Sequence, residues 1–114
     1  MYCAGLGLQV LSSFENHDGF DGVMLGKPNA DYHFEFTRFR LHEVAPTPTP
    51  EDLIVLYVPS QDEWSQVCRN MADAGFAPVS SSNPYWEVRG RVFQDADGYR
   101  TVIECSTWRV QGAV

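Results

Sequence analysis

Three ionisable side chains are suited to chemistry because each lies in a β-rich run with a neighbour two positions away. His33 and Glu35 share one run, and Glu104 follows Val102 in another. Side chains alternate along a strand, so residues two apart project from one face. A carboxylate beside aromatic rings suits a cationic ligand, through charge pairing and attraction to the ring face. The alternative is that Glu35 and Glu104 pair with arginines of the chain, the candidates being Arg38, Arg91 and Arg100.

Two large rings follow a proline-containing turn. Tyr85 and Trp86 come directly after Asn83 and Pro84. Such a turn presents amphipathic rings that either cap a ligand or become buried at a subunit contact. Nothing marks the chain as a nucleophilic enzyme, because Cys105 faces away from Glu104 and no His-Asp-Ser arrangement is visible.

Composition excludes several classes of protein. The 114 residues suit one domain with a core, and the net charge of −7 argues against a nucleic-acid partner. We find no apolar run long enough to span a membrane and no secretory signal after Met1. The three cysteines are far apart and form no Cys-x-x-Cys pair, which predicts reduced thiols and a cytoplasmic location.

Hydrophobic patterning predicts short strands and one long helix. Ser60 is expected to cap the helix, with Glu63 completing a capping box, and the helix is expected to end at Gly75. Asp97-Gly98 between apolar runs predicts a hairpin. The predicted strands cover residues 8–14, 21–25, 32–39, 53–58, 76–79, 89–94 and 100–105, with a turn at 15–19.

An internal repeat divides the chain into two halves. Residues 7–11 align with 75–79, and residues 32–36 align with 99–103. The halves therefore read as copies of one βαβββ unit, without first-half counterparts for residues 53–68. We predict a truncated first module at 1–44, a stiff Pro/Thr linker at 45–52 and a complete second module at 53–109 within a single domain.

Three motifs carry a resemblance to a known family. They are the helix end at residues 2–7, the Phe-Asp-Gly-Val-Met-Leu-Gly strand at 20–26 and the Asp-x-Asp-Gly-Tyr hairpin at 95–99. Together they resemble the vicinal oxygen chelate superfamily of glyoxalases, bleomycin-resistance proteins and dioxygenases. The resemblance implies an α+β fold in which paired βαβββ modules form a cupped mixed sheet with helices outside.

The resemblance also implies where a metal would bind. Many members hold a divalent ion with one His or Glu from the first and from the fourth strand of each module. Glu35 matches one such position, whereas Leu53 and Val102 occupy two others and cannot ligate. The fourth position is missing with the first strand. We therefore expect no metal and no cofactor; an improvised site from His33, Glu35 and Glu104 is the alternative.

The function implied is small-molecule binding without chemistry, of a cationic or aromatic compound, as in bleomycin-resistance members. A metal-dependent glyoxalase, dioxygenase or thiol-transferase is the alternative. The expected pocket comprises His33, Glu35, Tyr57, Tyr85, Trp86, Val102 and Glu104. An unpaired edge on the strand at 32–39 predicts a homodimer or larger oligomer through the first module. The rival is that the linker or the C-terminal tail folds back over that edge.

Overall fold

The structure is a computed structural model that describes residues 1–108. Three helices and seven strands follow one another along the described residues. In order they are α1 (Tyr2–Leu6), β1 (Gln9–His17), β2 (Phe20–Gly26), β3 (His33–Phe39), β4 (Leu53–Tyr57), α2 (Gln61–Asp73), β5 (Ala77–Val79), α3 (Tyr85–Val88), β6 (Gly90–Gln94) and β7 (Arg100–Glu104). The strands form two separate sheets, one in each half of the chain. This arrangement is the α+β pair of modules that the sequence predicts.

The first sheet is an antiparallel meander in the order β1-β2-β3. Its first strand is longer than predicted, because residues 15–17, expected in a turn, continue β1 as far as His17. The turn is reduced to Asp18 and Gly19, whose φ angles of 51° and 89° allow the tight reversal. The composition of residues 15–19 is typical of a turn, but pairing of His17 with Phe20 extends the ladder almost to the tip.

The second sheet has the strand order β4-β7-β6-β5, with β4 parallel to β7 and the other pairs antiparallel. The predicted hairpin joins β6 to β7. Oδ1 of Asp95 accepts hydrogen bonds from the backbone N–H groups of Asp97 and Tyr99, each at 2.9 Å, and Gly98 has a φ of 95°. The side chain of Asp95 thus fixes the turn, and glycine supplies the left-handed position.

Helix α2 packs on one face of this second sheet and creates the main core. As expected, Ser60 caps it, accepting a hydrogen bond from the N–H of Glu63 at 3.3 Å. Trp64 is anchored by a 2.8 Å hydrogen bond from its indole N–H to the carbonyl oxygen of Ile103. The buried cluster consists of Cys68, Met71, Phe76, Phe93 and Ile103.

Helix α1 packs against the second half. The ring of Tyr2 meets the edge of Phe76 at a centroid distance of 5.1 Å and contacts Phe36 of β3 at the same distance. Gly5 allows the close approach, because a Cβ there would lie 2.7 Å from the sulfur of Met71 and 3.0 Å from Phe76. The five-residue α1 therefore joins the two halves.

The first sheet is poorly covered. Leu25 is its buried large apolar residue, whereas Val10 is 61% exposed and Phe36 is 40% exposed. The sheet ends at β3, whose outer edge has no strand partner among residues 1–108. The radius of gyration is 15.7 Å, compared with about 13 Å for a compact domain of this size.

Residues 45–52 lead to β4 without a helix or strand and include a turn in which the N–H of Asp52 donates to the carbonyl oxygen of Thr49 at 3.1 Å. The N–H of Thr47 lies 3.4 Å from the Tyr99 hydroxyl, so the linker runs beside the closing hairpin of the second sheet. The C-terminal tail from residue 109, which the sequence predicts to be frayed, lies outside the described residues. In the part of the chain that the structure describes, none of the helices is long and apolar enough to cross a membrane.

Candidate functional site

The two faces of β7 have different surroundings. Ile103 lies in the core under α2, so Val102 and Glu104, which alternate with it, project from the opposite face of the second sheet. Glu104 is the register partner of Tyr57 on β4 and of Gly90 on β6. Five of the seven predicted pocket residues belong to this helix-free face or to the short helix beside it: Tyr57, Tyr85, Trp86, Val102 and Glu104.

Gly90 makes room for the carboxyl group of Glu104. A Cβ at position 90 would lie 2.5 Å from Oε1 of Glu104 and 2.8 Å from the backbone oxygen of Trp86. Any other residue would therefore displace either the carboxyl group or α3. The sequence contained a usable signal, because an isolated glycine inside a strand often marks a close approach.

Glu104 is buried without a partner for one of its oxygens. The residue is 3% exposed, and Oε1 has no hydrogen-bond partner in the described part of the chain. Burial raises the pKa of Glu104 above its ordinary value, and the positive charge of Arg89 opposes that shift. A buried and unsatisfied carboxyl oxygen is costly in a folded protein, which makes Glu104 a candidate binding residue.

Aromatic groups lie beside this carboxyl group. Burial is the largest cause that raises the pKa of the Tyr57 hydroxyl, and the nearby charges of Tyr85 and Glu104 act in the same direction. The rings of Tyr85 and Trp86 meet edge to face at a centroid distance of 4.9 Å. Tyr57 therefore remains a neutral hydroxyl at neutral pH, close to Glu104.

The sequence predicts a turn at residues 83–86, whereas the structure continues it as the one-turn helix α3. The side-chain oxygen of Asn83 accepts a hydrogen bond from the N–H of Tyr85 at 3.0 Å, and Glu87 accepts one from the N–H of Ser81 at 2.8 Å. Pro84, with a φ of −64°, is preset for the helical turn. Helix α3 packs on β6, and its Tyr85 is 63% exposed.

The two remaining predicted residues lie in the first half. His33 and Glu35 share a 2.9 Å hydrogen bond, with side chains that are 42% and 48% exposed. Phe36 contacts α1, so Glu35 projects from the face of β3 that is turned away from α1. His33 and Glu35 thus form their own pair, on a different sheet from Glu104.

Pairing of the two acids with arginines was the alternative interpretation, and it is wrong for the described residues. Arg38 pairs with Asp21 at 3.0 Å. Arg91 lies 5.6 Å from the centre of the Trp64 ring. Arg100 donates to Gln94 at 3.1 Å.

The residues do not fit a metal site. Leu53 and Val102 are apolar at two of the family's ligand positions. Within residues 1–108, no three His, Cys, Asp or Glu side chains lie close enough to hold an ion. The improvised site of His33, Glu35 and Glu104 is therefore contradicted, because the first two lie together on one sheet and Glu104 is enclosed on the other.

A cavity of about 290 Å³ lies between the two halves, at the open edge of β4. Its walls combine aromatic rings with one charge of each sign. The lining residues include Lys27, Tyr32, Phe34, Tyr57, Glu63 and Ile103. This volume is at the lower end for small-molecule sites, so the cavity suits a compact ligand. Tyr57 belongs both to this wall and to the surroundings of Glu104.

Known families match both halves of the chain. The YycE-like N-terminal domain matches residues 1–37, and the YycE-like C-terminal domain matches residues 51–104. A curated relative, the uncharacterized protein YycE of Bacillus subtilis strain 168, is 43% identical over 102 residues, which are 90% of this chain and 73% of the relative.

Solved structures agree with this fold. A YycE protein of unknown function from Bacillus subtilis, described as a candidate glyoxalase/fosfomycin resistance protein, has a TM-score of 0.85 and 40% identity, over 97% of this chain and 80% of its own. The glyoxalase I of Leishmania major has a TM-score of 0.67 and 17% identity, over 92% and 73%. A glyoxalase/bleomycin resistance protein/dioxygenase superfamily member from Sphaerobacter thermophilus has a TM-score of 0.57 and 17% identity, over 90% and 81%. The last two likenesses show the fold alone.

Proposed function

Because this chain belongs to the YycE-like family and has the vicinal oxygen chelate fold, we propose that it binds a small organic molecule without a metal. The binding region comprises the cavity between the halves and the adjacent group around Glu104. One observation carries the proposal: Tyr57 lines the cavity and is also the register partner of the buried, unsatisfied Glu104. The role would be sequestration or resistance, not turnover.

The composition of the site favours a cationic or aromatic ligand. Tyr57, Tyr85 and Trp86 supply rings, and Glu104 supplies the acid. Val102 is fully buried beside Glu104 on the same face of β7, so it supports the site and is not itself accessible. His33 and Glu35 remain predicted contacts from the first half, since they too project from a face that is turned away from the helices.

A thermal-shift screen of cationic and neutral aromatic compounds tests this function. Compounds that bind should raise the melting temperature of the wild type and raise that of Tyr85→Ala less, because the exposed ring of Tyr85 contributes to binding more than to folding. Leu41→Ala is the matched control, since Leu41 is 80% exposed and lies outside the site. A complete absence of stabilising compounds would contradict the proposal, as would equal shifts in both variants.

Elemental analysis separates this function from a metal-dependent glyoxalase, dioxygenase or thiol-transferase. We expect protein purified without chelators to contain no stoichiometric Zn, Mn, Ni or Fe, because Leu53 and Val102 cannot ligate. An ion bound tightly through Glu35 would favour the enzyme instead.

We further propose a homodimer located in the cytoplasm. The exposed apolar residues of the first sheet and the open edge of β3 support self-association. The three cysteines, Cys3, Cys68 and Cys105, are free thiols, which suits a reducing compartment.

A further inference from the structure

We propose that Glu104 anchors the ligand through a protonated primary or secondary amine. This inference rests on the proposed function and narrows it to one class of ligand. The ammonium N–H would donate to Oε1 of Glu104 while the carbon skeleton packs against the neighbouring rings. A quaternary ammonium would not serve, because it has no N–H to donate.

The unsatisfied oxygen carries this argument. Oε1 of Glu104 is enclosed yet has no donor in the described part of the chain, although Gly90 leaves it space. Buried polar atoms are nearly always hydrogen-bonded to protein or to ordered water, so the donor to Oε1 comes from outside the described chain, and an ammonium ligand can supply it. A charge-assisted N–H···O bond is about twice as strong as a neutral one, which favours an ammonium donor over a hydroxyl.

The groups around Glu104 do not supply that donor themselves. Tyr57 approaches from β4 and Tyr85 from α3, and neither donates a hydrogen bond to Oε1. Burial raises the pKa of Tyr57 most, and the charges of Tyr85 and Glu104 both raise it further, which places the three groups near one another. Arg89, which follows α3, contributes positive charge at longer range. From β6 the facing residue is Gly90, which has no side chain. A ligand cation would therefore be the first partner of Oε1.

Helix α3 must move to admit the ligand, because Glu104 is 3% exposed. It is four residues long and none of its residues is buried, although it packs on β6. Its flanking segment is tied by the hydrogen bond from the N–H of Ser81 to Glu87. Tyr85 and Val88, 63% and 77% exposed, are already turned towards solvent. A one-turn element of this kind opens at low energetic cost.

At pH values below the pKa of Glu104, ligand binding would exchange one proton for one cation. Burial raises the pKa of Glu104, so the free protein retains a proton on this carboxyl group to a higher pH than usual. When the ammonium ion binds, that proton leaves to solvent and the charge inside the site is unchanged. Affinity should therefore fall about tenfold for each pH unit below the pKa of Glu104, as the proton competes with the ligand.

The test uses three probes of similar shape: benzylamine, benzyltrimethylammonium and benzyl alcohol. Binding is measured by NMR titration and by calorimetry in buffers with different ionisation enthalpies. We expect benzylamine to bind at least about tenfold more tightly than the other two probes, and to release a proton when the pH is below the pKa of Glu104. Glu104→Gln should weaken benzylamine binding by about tenfold or more, whereas Glu51→Gln, an exposed substitution in the linker, should not change it.

Equal binding of benzylamine to wild type and Glu104→Gln would overturn the inference, as would equal affinity for the quaternary probe or binding without proton release below the pKa of Glu104. Failure of all three probes would overturn it too. In each case, compounds that stabilise the protein in the thermal-shift screen would leave the proposed function standing. If Glu104→Gln does not fold, the pKa of Glu104 in the wild type is measured by carbon-detected NMR. Benzylamine must lower that pKa, and an unchanged value would refute the anchor.

Discussion

The hydroxyl of Tyr2 donates a 2.7 Å hydrogen bond to Oδ2 of Asp95, a residue 93 positions away in sequence. Asp95 fixes the closing turn of the second sheet through its other oxygen. Burial, together with the hydrogen bond and the charge of Asp95, raises the pKa of Tyr2 above its ordinary value. One side chain of α1 thus fastens the first half of the chain to the hairpin that completes the second.

Removing the Tyr2 hydroxyl should loosen this attachment. Tyr2→Phe retains the ring contacts with Phe36 and Phe76 but deletes the donor to Asp95. We expect a loss of about 1–3 kcal/mol in the free energy of unfolding, because the bond is to a charged acceptor. Urea denaturation measures this loss. Tyr32→Phe is the control, since Tyr32 is 63% exposed, and an equal loss in both variants would contradict the role of this bond.

Replacing Glu104 should stabilise the protein in a pH-dependent manner. The pKa of Glu104 is raised in the folded state, so its neutral form favours folding at low pH. That contribution is lost as pH rises through the folded-state pKa, where the carboxyl group must ionise while buried. Glu104→Gln stays neutral, so its stability advantage over the wild type should grow across this range.

We expect the free energy of unfolding of Glu104→Gln to exceed that of the wild type by about 1–3 kcal/mol once the pH is above the folded-state pKa of Glu104. This is the usual cost of an unsatisfied buried polar group. Urea unfolding at a series of pH values measures it, with Glu51→Gln as the exposed control. A variant that is less stable than the wild type at every pH would show that Glu104 forms a structural pair instead.

Asp21 should make the first sheet sensitive to acid. The pKa of Asp21 is lowered to about 2, first by a hydrogen bond from the N–H of Asn16, then by Arg38 and also by Arg40. Burial acts in the opposite direction. The charged carboxylate thus stabilises the folded state above its ordinary pKa, and this contribution is lost as pH falls towards 2. Asp21→Asn should destabilise the β1–β2 hairpin at neutral pH and reduce its acid sensitivity.

Amide hydrogen exchange in β1 and β2 measures this change. Asp18→Asn is the matched control, because the side chain of Asp18 is 93% exposed and asparagine accepts its positive φ. Identical protection in the Asp21→Asn variant and the wild type would show that the Asp21 cluster does not hold the hairpin.

Local signals explain why the second half was easier to predict from sequence. The turn at Asp97-Gly98 and the cap at Ser60 each depend on side chains within four residues of the backbone they bind. Contacts between distant residues explain the two places where the predicted secondary structure was wrong. His17 joined β1 because Phe20 pairs with it, and residues 85–88 became helical while packed on β6.

The candidate site was predictable only in part, for a similar reason. Strand alternation correctly assigned Val102 and Glu104 to one face, opposite Ile103. It could not reveal that Gly90 leaves space for Oε1, or that Glu35 would pair with His33. Those features depend on which strands become neighbours and on how far apart the two sheets lie, and periodicity does not encode either distance.

The open edge of β3 has a consequence for assembly. Phe36 is 40% exposed and Val10 is 61% exposed, on a sheet with little buried surface of its own. The linker lies beside the second sheet at Tyr99, so it does not cover β3 there. A second copy of the chain, related by two-fold symmetry, would cover this face most simply, because each copy would bury the exposed apolar side chains of the other.

We therefore expect light scattering at micromolar concentration to give the mass of a dimer. Phe36→Glu places a charge on the proposed contact and should shift the mass to that of a monomer, because burying an unpaired carboxylate opposes association. Leu41→Glu is the control, since Leu41 is 80% exposed just beyond β3, and it should stay dimeric. A compact wild-type monomer whose own tail covers Phe36 would refute the interface, and so would dissociation of both variants alike.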